Sequence, residues 1–184
     1  YSHSFNSELQ LSSALFYTRG KGYYEQFKND RKFEDYLFEE ILIGGDTIGR
    51  TDLIQRKWLD NHYYGLTASL SYQTDKMESV LGGALSQYDG DHFGEVIWAE
   101  YSGDNAIRTP WYSNNGSKTD GNIYAKTNYH LGEKLLAYLD LQYRFIRYTI
   151  TGTHDDLRDI SQTNNFNFFN PKAGLFYQLN TKNQ

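Results

Sequence analysis

The sequence predicts an all-β chain, an antiparallel up-and-down meander of about six strands with short turns on one rim and long loops on the other. Three observations predict it. A turn in which an aromatic precedes a few polar residues recurs four times, at Phe5-Asn6-Ser7-Glu8-Leu9, Tyr72-Gln73-Thr74-Asp75-Lys76, Tyr129-His130-Leu131-Gly132-Glu133-Lys134 and Tyr177-Gln178-Leu179-Asn180-Thr181-Lys182. The segments next to these turns alternate apolar and polar residues with period two, as strands do because successive side chains point to opposite faces. Between consecutive turns the chain makes one long excursion, near 20–60, 90–119 and 152–164. Hairpins with two such unlike rims have the layout of a transmembrane β-barrel wall.

The first expected strand, near 7–19, sets Leu9, Leu11, Ser13, Leu15 and Tyr17 against Glu8, Gln10, Ser12, Ala14 and Phe16. The excursion after it holds Gly20-Lys21-Gly22-Tyr23-Tyr24, then Phe33, Tyr36, Leu37, Glu40 and Ile41 at helix-like spacing, then Gly44-Gly45. A short helix and an extended strand both suit that pattern. The second strand, 60–73, sets Tyr64, Leu66, Ala68, Leu70 and Tyr72 against Gly65, Thr67, Ser69 and Ser71. In the third, 76–89, the run Leu81-Gly82-Gly83-Ala84-Leu85 offers little contrast, so its register is open. The second excursion carries Trp98, Trp111 and Ser113-Asn114-Asn115-Gly116.

The fourth strand, 119–131, turns Ile123, Ala125, Thr127 and Tyr129 one way and Asn122, Tyr124, Lys126 and Asn128 the other. The fifth, 134–151, is the clearest. Leu135, Ala137, Leu139, Leu141, Tyr143 and Phe145 form a wholly apolar face against Leu136, Tyr138, Asp140, Gln142 and Arg144. A polar loop, 152–164, leads to the last strand, 165–179, with Phe169, Pro171, Ala173, Leu175 and Tyr177 opposite Asn170, Lys172, Gly174 and Phe176.

A soluble sandwich also alternates, with its apolar face turned to a core. Two features favour the membrane barrel instead. The polar face holds Asp140, Arg144, Lys126 and Lys172 well inside the strands, as a hydrated lumen allows, and the apolar face ends in Tyr or Phe near the turns, where an interfacial girdle belongs. Composition agrees: aromatics are 17% of the 184 residues, with 17 Tyr and 11 Phe. A mean hydropathy of −0.72 suits a chain whose loops and half of whose strand positions are polar. There is no apolar run of about 18 residues to make a transmembrane helix. The absence of Cys rules out disulfides and thiol chemistry. A net charge of −5 argues against nucleic acid as a partner, since phosphates call for a basic face. The chain reads as a piece of a larger wall, opening in the tail of a strand at Tyr1 and leaving two sheet edges unsatisfied.

The stretches Tyr17-Thr18-Arg19-Gly20-Lys21-Gly22-Tyr23-Tyr24-Glu25, Tyr88-Asp89-Gly90-Asp91-His92-Phe93-Gly94-Glu95-Val96-Ile97-Trp98 and Phe169-Asn170-Pro171-Lys172-Ala173-Gly174-Leu175 carry a resemblance. They are similar to the C-terminal barrel portion of TonB-dependent outer-membrane receptors of the Bacteroidetes type, and the resemblance spans essentially the whole chain. It implies a 22-stranded barrel closed by an N-terminal plug, in the outer membrane, importing a scarce nutrient with energy delivered by TonB. The partners implied are outer-membrane lipid, the rest of the barrel with its plug, TonB through segments that this sequence lacks, and a ligand: an iron chelate, haem, cobalamin or a glycan. No cofactor is implied.

Candidate ligand-binding residues are the aromatics of the excursions, Tyr23, Tyr24, Trp98, Trp111 and Tyr112, whose flat faces suit stacking on a chelate, a porphyrin or a sugar. The plainer reading has them pack loop against loop. Asp89, Asp91, His92 and Glu95 include the oxygen and nitrogen donors a cation takes, but their spacing fits neither an EF-hand nor a zinc motif. His154-Asp155-Asp156 is a weaker candidate of the same kind. No Ser-His-Asp or paired-carboxylate arrangement can be asserted from spacing, so no catalytic residue is assigned and the chain is not read as an enzyme. The sequence thus points to a wall segment of an active-transport receptor, with a soluble aromatic-rich carbohydrate-binding β-domain as the alternative.

Overall fold

The computed structural model of the chain describes residues 1–179. The chain is all-β. Seven strands, β1 (Ser2–Ser4), β2 (Leu9–Lys32), β5 (Arg50–Gln73), β6 (Met77–Ala99), β7 (Pro110–His130), β8 (Leu135–Gly152) and β9 (Gln162–Tyr177), form one antiparallel sheet in that spatial order. A small hairpin of β3 (Ile41–Ile43) and β4 (Asp46–Ile48) stands apart in the β2–β5 connection. The sheet is an up-and-down meander and is not closed into a barrel. The stub expected at the N-terminus is β1, which pairs Ser2–Ser4 with Gln10–Ser12.

The short turns all lie on one rim. Asn6 Oδ1 accepts from the backbone N–H groups of Glu8 and Leu9 at 2.9 and 2.8 Å, closing the first as an Asx turn. Thr74 Oγ1 does the same for Met77 at 3.1 Å. The third bends at Leu131–Lys134, and the fourth, after Tyr177, runs into positions 180–182, which lie outside the described residues.

The opposite rim departs from the expected boundaries. The strands run on well past positions 19, 60, 89, 119 and 165, so the excursions expected at 20–60, 90–119 and 152–164 shrink to 33–49, 100–109 and 153–161. Glycines at 20, 22, 90, 94 and 116 read as loop in the sequence, yet each is paired within the ladder. Twenty-four residues at about 3.3 Å each make β2 and β5 about 79 Å long, more than twice what 9–11 tilted residues need to cross a bilayer. Both patterns weighed for the first excursion occur in it. A 3₁₀ turn at Phe33–Tyr36 ends on Leu37 in the left-handed region at φ 57°, and the β3–β4 hairpin follows.

Pairing fixes the faces. Leu11, Leu70, Leu81 and Ala125 share one transverse row, and Leu15, Leu66, Leu85 and Gly121 another. The open register at Leu81–Leu85 is therefore resolved, with Leu81, Gly83 and Leu85 on the same face as Leu66 and Leu70. We call this the outer face. Its apolar side chains are uncovered in the half next to the short turns, with Leu15 85% exposed, and Leu139 and Leu175 exposed as well. The inner face of that half carries the charges. Lys126 opposes Asp140 at 3.9 Å, and Arg144 grips Asp120 through Nε and Nη2 at 2.9 and 2.5 Å.

Side chains become buried only in the half next to the long loops. Leu53, Val96, Trp111, Tyr112 and Tyr36 form one cluster, joined by Phe38, Ala99, Ile107 and Leu157 from all three loops. Beside it, Phe33, 1% exposed, meets Phe38 edge-on at 5.8 Å. Two irregularities turn residues inward here. The ladder slips between Ile54 and Gln55 and again between Gly94 and Glu95, where Trp111 is the extra residue on β7. Gly94 is required beneath it, because a Cβ there would come within 2.3 Å of the Trp111 ring.

Candidate ligand site

Three loops fold over the inner face at the end of the sheet away from the short turns, and the site they build starts from the cluster just described. Tyr36, on the 3₁₀ turn, lays its ring 4.9 Å from Trp111 and donates its hydroxyl to Gln55 Oε1 at 3.0 Å. Gln55 in turn donates to Gln26 at 2.9 Å, which keeps a buried amide fully occupied. From the opposite side, the 153–161 loop crosses the sheet. The Trp111 indole N–H donates to the Asp155 carbonyl at 3.1 Å, and the Asp155 carboxylate pairs with Lys57 on β5, three strands from the loop's own β8. Gly152 begins that crossing at φ +112°, a conformation that favours glycine.

Two adjoining cavities of about 350 and 380 Å³ lie under the loops and share Lys57 and Asp155. Both fall in the size range of small-molecule sites. The first is bordered by charges, among them Lys28, Arg31, Asp35 and Asp156. The second is bordered by Tyr24, Tyr112 and Tyr148, with His92, Asn114 and His154. Asn114 is held by its own donation to the Thr153 carbonyl at 2.9 Å, and its Oδ1 lies 3.2 Å from His92 Nδ1. Burial, the Asp155 charge and Tyr24 push the Tyr112 hydroxyl up to about 12, so it stays a neutral donor at ordinary pH. Burial alone would raise the Asp156 carboxyl, but the Arg158 guanidinium, with Nε 2.7 Å away, holds it below its usual value.

The five candidate aromatics separate by face. Tyr24, Trp111 and Tyr112 come together on the inner side at the cavities, whereas Tyr23 and Trp98 point outward. All five are strand residues rather than loop residues: Tyr23, Tyr24, Trp98 and Tyr112 hold paired ladder positions, and Trp111 is the bulge residue of β7. On the outer face Tyr23 meets Trp58 at a tilt with ring centres 4.6 Å apart, Phe93 stacks on Trp58 at 6.0 Å, and Arg56 lies over Tyr23 at 4.1 Å. That row missed notice in the sequence because its members come from three strands.

The candidate cation donors Asp89, Asp91, His92 and Glu95 do not converge. Asp89 and Asp91 face outward and share the Asn115 amide at 3.1 and 2.8 Å, Glu95 pairs across to Arg56, and His92 faces inward to the cavity. Period two separates His92 from the three carboxylates, since residues an odd number apart on a strand lie on opposite faces. The long loop expected to begin near position 90 is replaced here by uninterrupted β6. His154, Asp155 and Asp156 do approach one another, with donor atoms within 4.8 Å, but Lys57 and Arg158 already engage the two carboxylates. Lys57, Asn114 and Tyr148 were not singled out from the sequence. Their shared inward parity with Tyr112 was the available signal, and the strand extension that gives it meaning was not.

No known family model matches the chain, and no curated protein matches it.

Proposed function

We propose that the chain is part of the wall of an outer-membrane active-transport receptor. The observation that carries the reading is the division of the two faces in the half next to the short turns, one predominantly apolar and the other carrying the charges. The outer face is largely apolar and carries Tyr72, Tyr129 and Tyr177 next to the short turns and Tyr17, Tyr64 and Phe169 farther along the strands, while the inner face behind Leu139 and Leu141 carries paired charges. Leu9 to Tyr17 spans nine positions, both ends included, the length a tilted strand needs to cross a bilayer. Lipid accounts for an apolar band with nothing packed on it, and a water-filled lumen accounts for Lys126, Asp140 and Arg144 behind that band. The resemblance to TonB-dependent receptors supports import of a nutrient, captured at the mouth and drawn through the lumen with energy from TonB. The chain performs no bond chemistry in this reading.

The chain's lack of cysteine makes the test direct. Single cysteines replace Leu139 and Asp140 in protein reconstituted in lipid vesicles and are exposed to a charged maleimide. The expected result is protection at 139 and ready labelling at 140. Equal labelling at the two positions refutes the membrane wall, and a soluble sugar-binding domain becomes the better account.

A further inference from the structure

We infer that the outer face beyond Tyr17 and Tyr64 is a contact surface for the phosphorylated sugar head group of a glycolipid, with Lys21, Arg56 and Trp58 as its recognition residues. This deepens the receptor reading and rests on it for an outer face that meets lipid and for long loops that lie outside the cell.

Height limits the choice of partner. Past Tyr17 and Tyr64 the outer face carries Arg19 and Lys21 on β2, then the row of Tyr23, Trp58 and Phe93, then Arg56. Arg56 pairs with Glu25, eight positions beyond Tyr17, which at about 3.3 Å per residue and a tilt of about 45° lies about 19 Å above that tyrosine. Phospholipid head groups fill only about 5–8 Å on each side of the hydrocarbon. A face that stays aromatic and cationic for about 19 Å reaches well past them, to where a head group built of several sugars extends.

Chemistry narrows the class. Two cations flank one ring, with Lys21 Nζ 5.8 Å and the Arg56 guanidinium 5.6 Å from the centre of Trp58. Arg56 is fixed over Tyr23 and donates to Glu25 through Nε at 2.9 Å and Nη2 at 2.6 Å, and among the described residues its Nη1 makes no hydrogen bond. The Trp58 indole N–H is buried and has no partner, the one such side-chain nitrogen or oxygen among the described residues. Buried donors are rarely left unbonded, so this one calls for an acceptor from outside the chain. Phosphate oxygens accept from all three donor types. The same rows hold carboxylates, Asp60 engaged by Arg19 and Lys21, and Asp89 and Asp91 sharing the Asn115 amide. A surface of both signs fits phosphates with divalent counter-ions better than a bare anion, because the counter-ions take carboxylate oxygens.

The test uses the whole chain in non-ionic detergent with magnesium present, and reads binding by native mass spectrometry. The probe is a deep-rough lipopolysaccharide, and the comparators are the same lipid stripped of its phosphates, phosphatidylethanolamine and inorganic phosphate. The intact glycolipid is expected to bind, and loss of its phosphates to weaken it about tenfold, the share of a hydrogen bond to a charged group. Lys21→Glu, at an exposed position, and Arg56→Ala should each weaken it as much, and Trp58→Phe about fivefold. Lys126→Ala, on the inner face, should leave it unchanged. The inference is overturned if the stripped lipid or phosphatidylethanolamine binds as tightly, if inorganic phosphate displaces the glycolipid, or if Lys21→Glu and Trp58→Phe leave its affinity intact in protein with wild-type circular dichroism. Any of these with position 139 still protected in vesicles removes this surface and keeps the receptor, whereas free labelling at 139 refutes both.

Discussion

The two ends of the same strands are held by different means. Near the loops, Leu53 and Val96 are buried to within 2% under Phe38, Trp111 and Leu157, and every buried hydrophobic residue of the described chain lies in this half. Near the short turns the ladder runs without a slip, yet Leu15, Leu81, Leu139 and Leu175 are exposed. The register slips at Lys28/Arg31, Ile54/Gln55 and Gly94/Glu95 all fall in the loop half, so the buried half is the less regularly paired one, and the larger difference is where the apolar surface goes. The loop half supplies its own cover from three connections, and the turn half leaves its apolar side chains exposed.

Deleting that internal cover has the largest expected effect. Phe33→Ala should cost about 3–5 kcal/mol in a urea titration in detergent, because a buried aromatic is lost and a cavity remains. A cost under about 1 kcal/mol would show that the loop half is no more self-supporting than the other. Next comes a charge on the uncovered side. Leu139→Arg should destabilise the chain in lipid by about 2–4 kcal/mol, and Asp140→Asn by much less. If both substitutions are tolerated equally, the contrast between the faces has no energetic meaning.

How much of this was readable in advance follows the same division. In the turn half, alternation of the kind seen from Leu135 to Phe145 placed the strands, their antiparallel order and, except at Leu81–Leu85, their faces. Alternation is a local signal that survives wherever one face stays apolar. In the loop half both faces mix aromatics, charges and glycine, so the period disappears and Gly20, Gly22, Gly90 and Gly94 imitate loops. Tyr24, Trp111 and Tyr112 were recognisable as binding candidates by type. Their partners Lys57, Asn114 and Tyr148 were not, since contact between residues as distant as Lys57 and Asp155 leaves no trace in spacing. Grouping His92 with Asp89 and Asp91 ignored the parity already in use, and the structure sets them on opposite faces.

A third prediction sharpens the buried side by pH. The Tyr112 hydroxyl is pushed up to about 12 from 10.0, so the fold favours its neutral form. Its contribution is complete below pH 10 and is lost as pH rises through 12, about 2–3 kcal/mol at 1.36 per unit. Absorbance titration should show one tyrosine ionising at about pH 12, and Tyr112→Phe should remove both that step and the alkaline loss. Ionisation of every tyrosine near pH 10 would mean that Tyr112 is as open to water as the girdle. The smallest effect belongs to the middle loop. Replacing 100–109 with a short Gly/Ser turn should leave the β6–β7 ladder intact by hydrogen exchange and cost about 1 kcal/mol, the share of half-buried Ile107, since loop length itself matters little. Loss of protection at Leu81–Leu85 would tie the two halves together more closely than their packing suggests.

The 153–161 loop gives the order of events a direction. Neighbouring hairpins zip locally as each strand arrives, but the link from Asp155 to Lys57 spans 98 residues and joins the penultimate strand's exit to a strand laid down much earlier. Contacts of such sequence separation form late, after the entropy of closing the intervening chain has been spent. The mouth therefore latches only when β8 and the turn beyond it exist. A chain that ends before Asp155 holds the β2–β8 ladder, still without β9, beneath a mouth that has no clasp, which makes the Lys57–Asp155 pair a marker that the connection leaving β8 has reached the mouth.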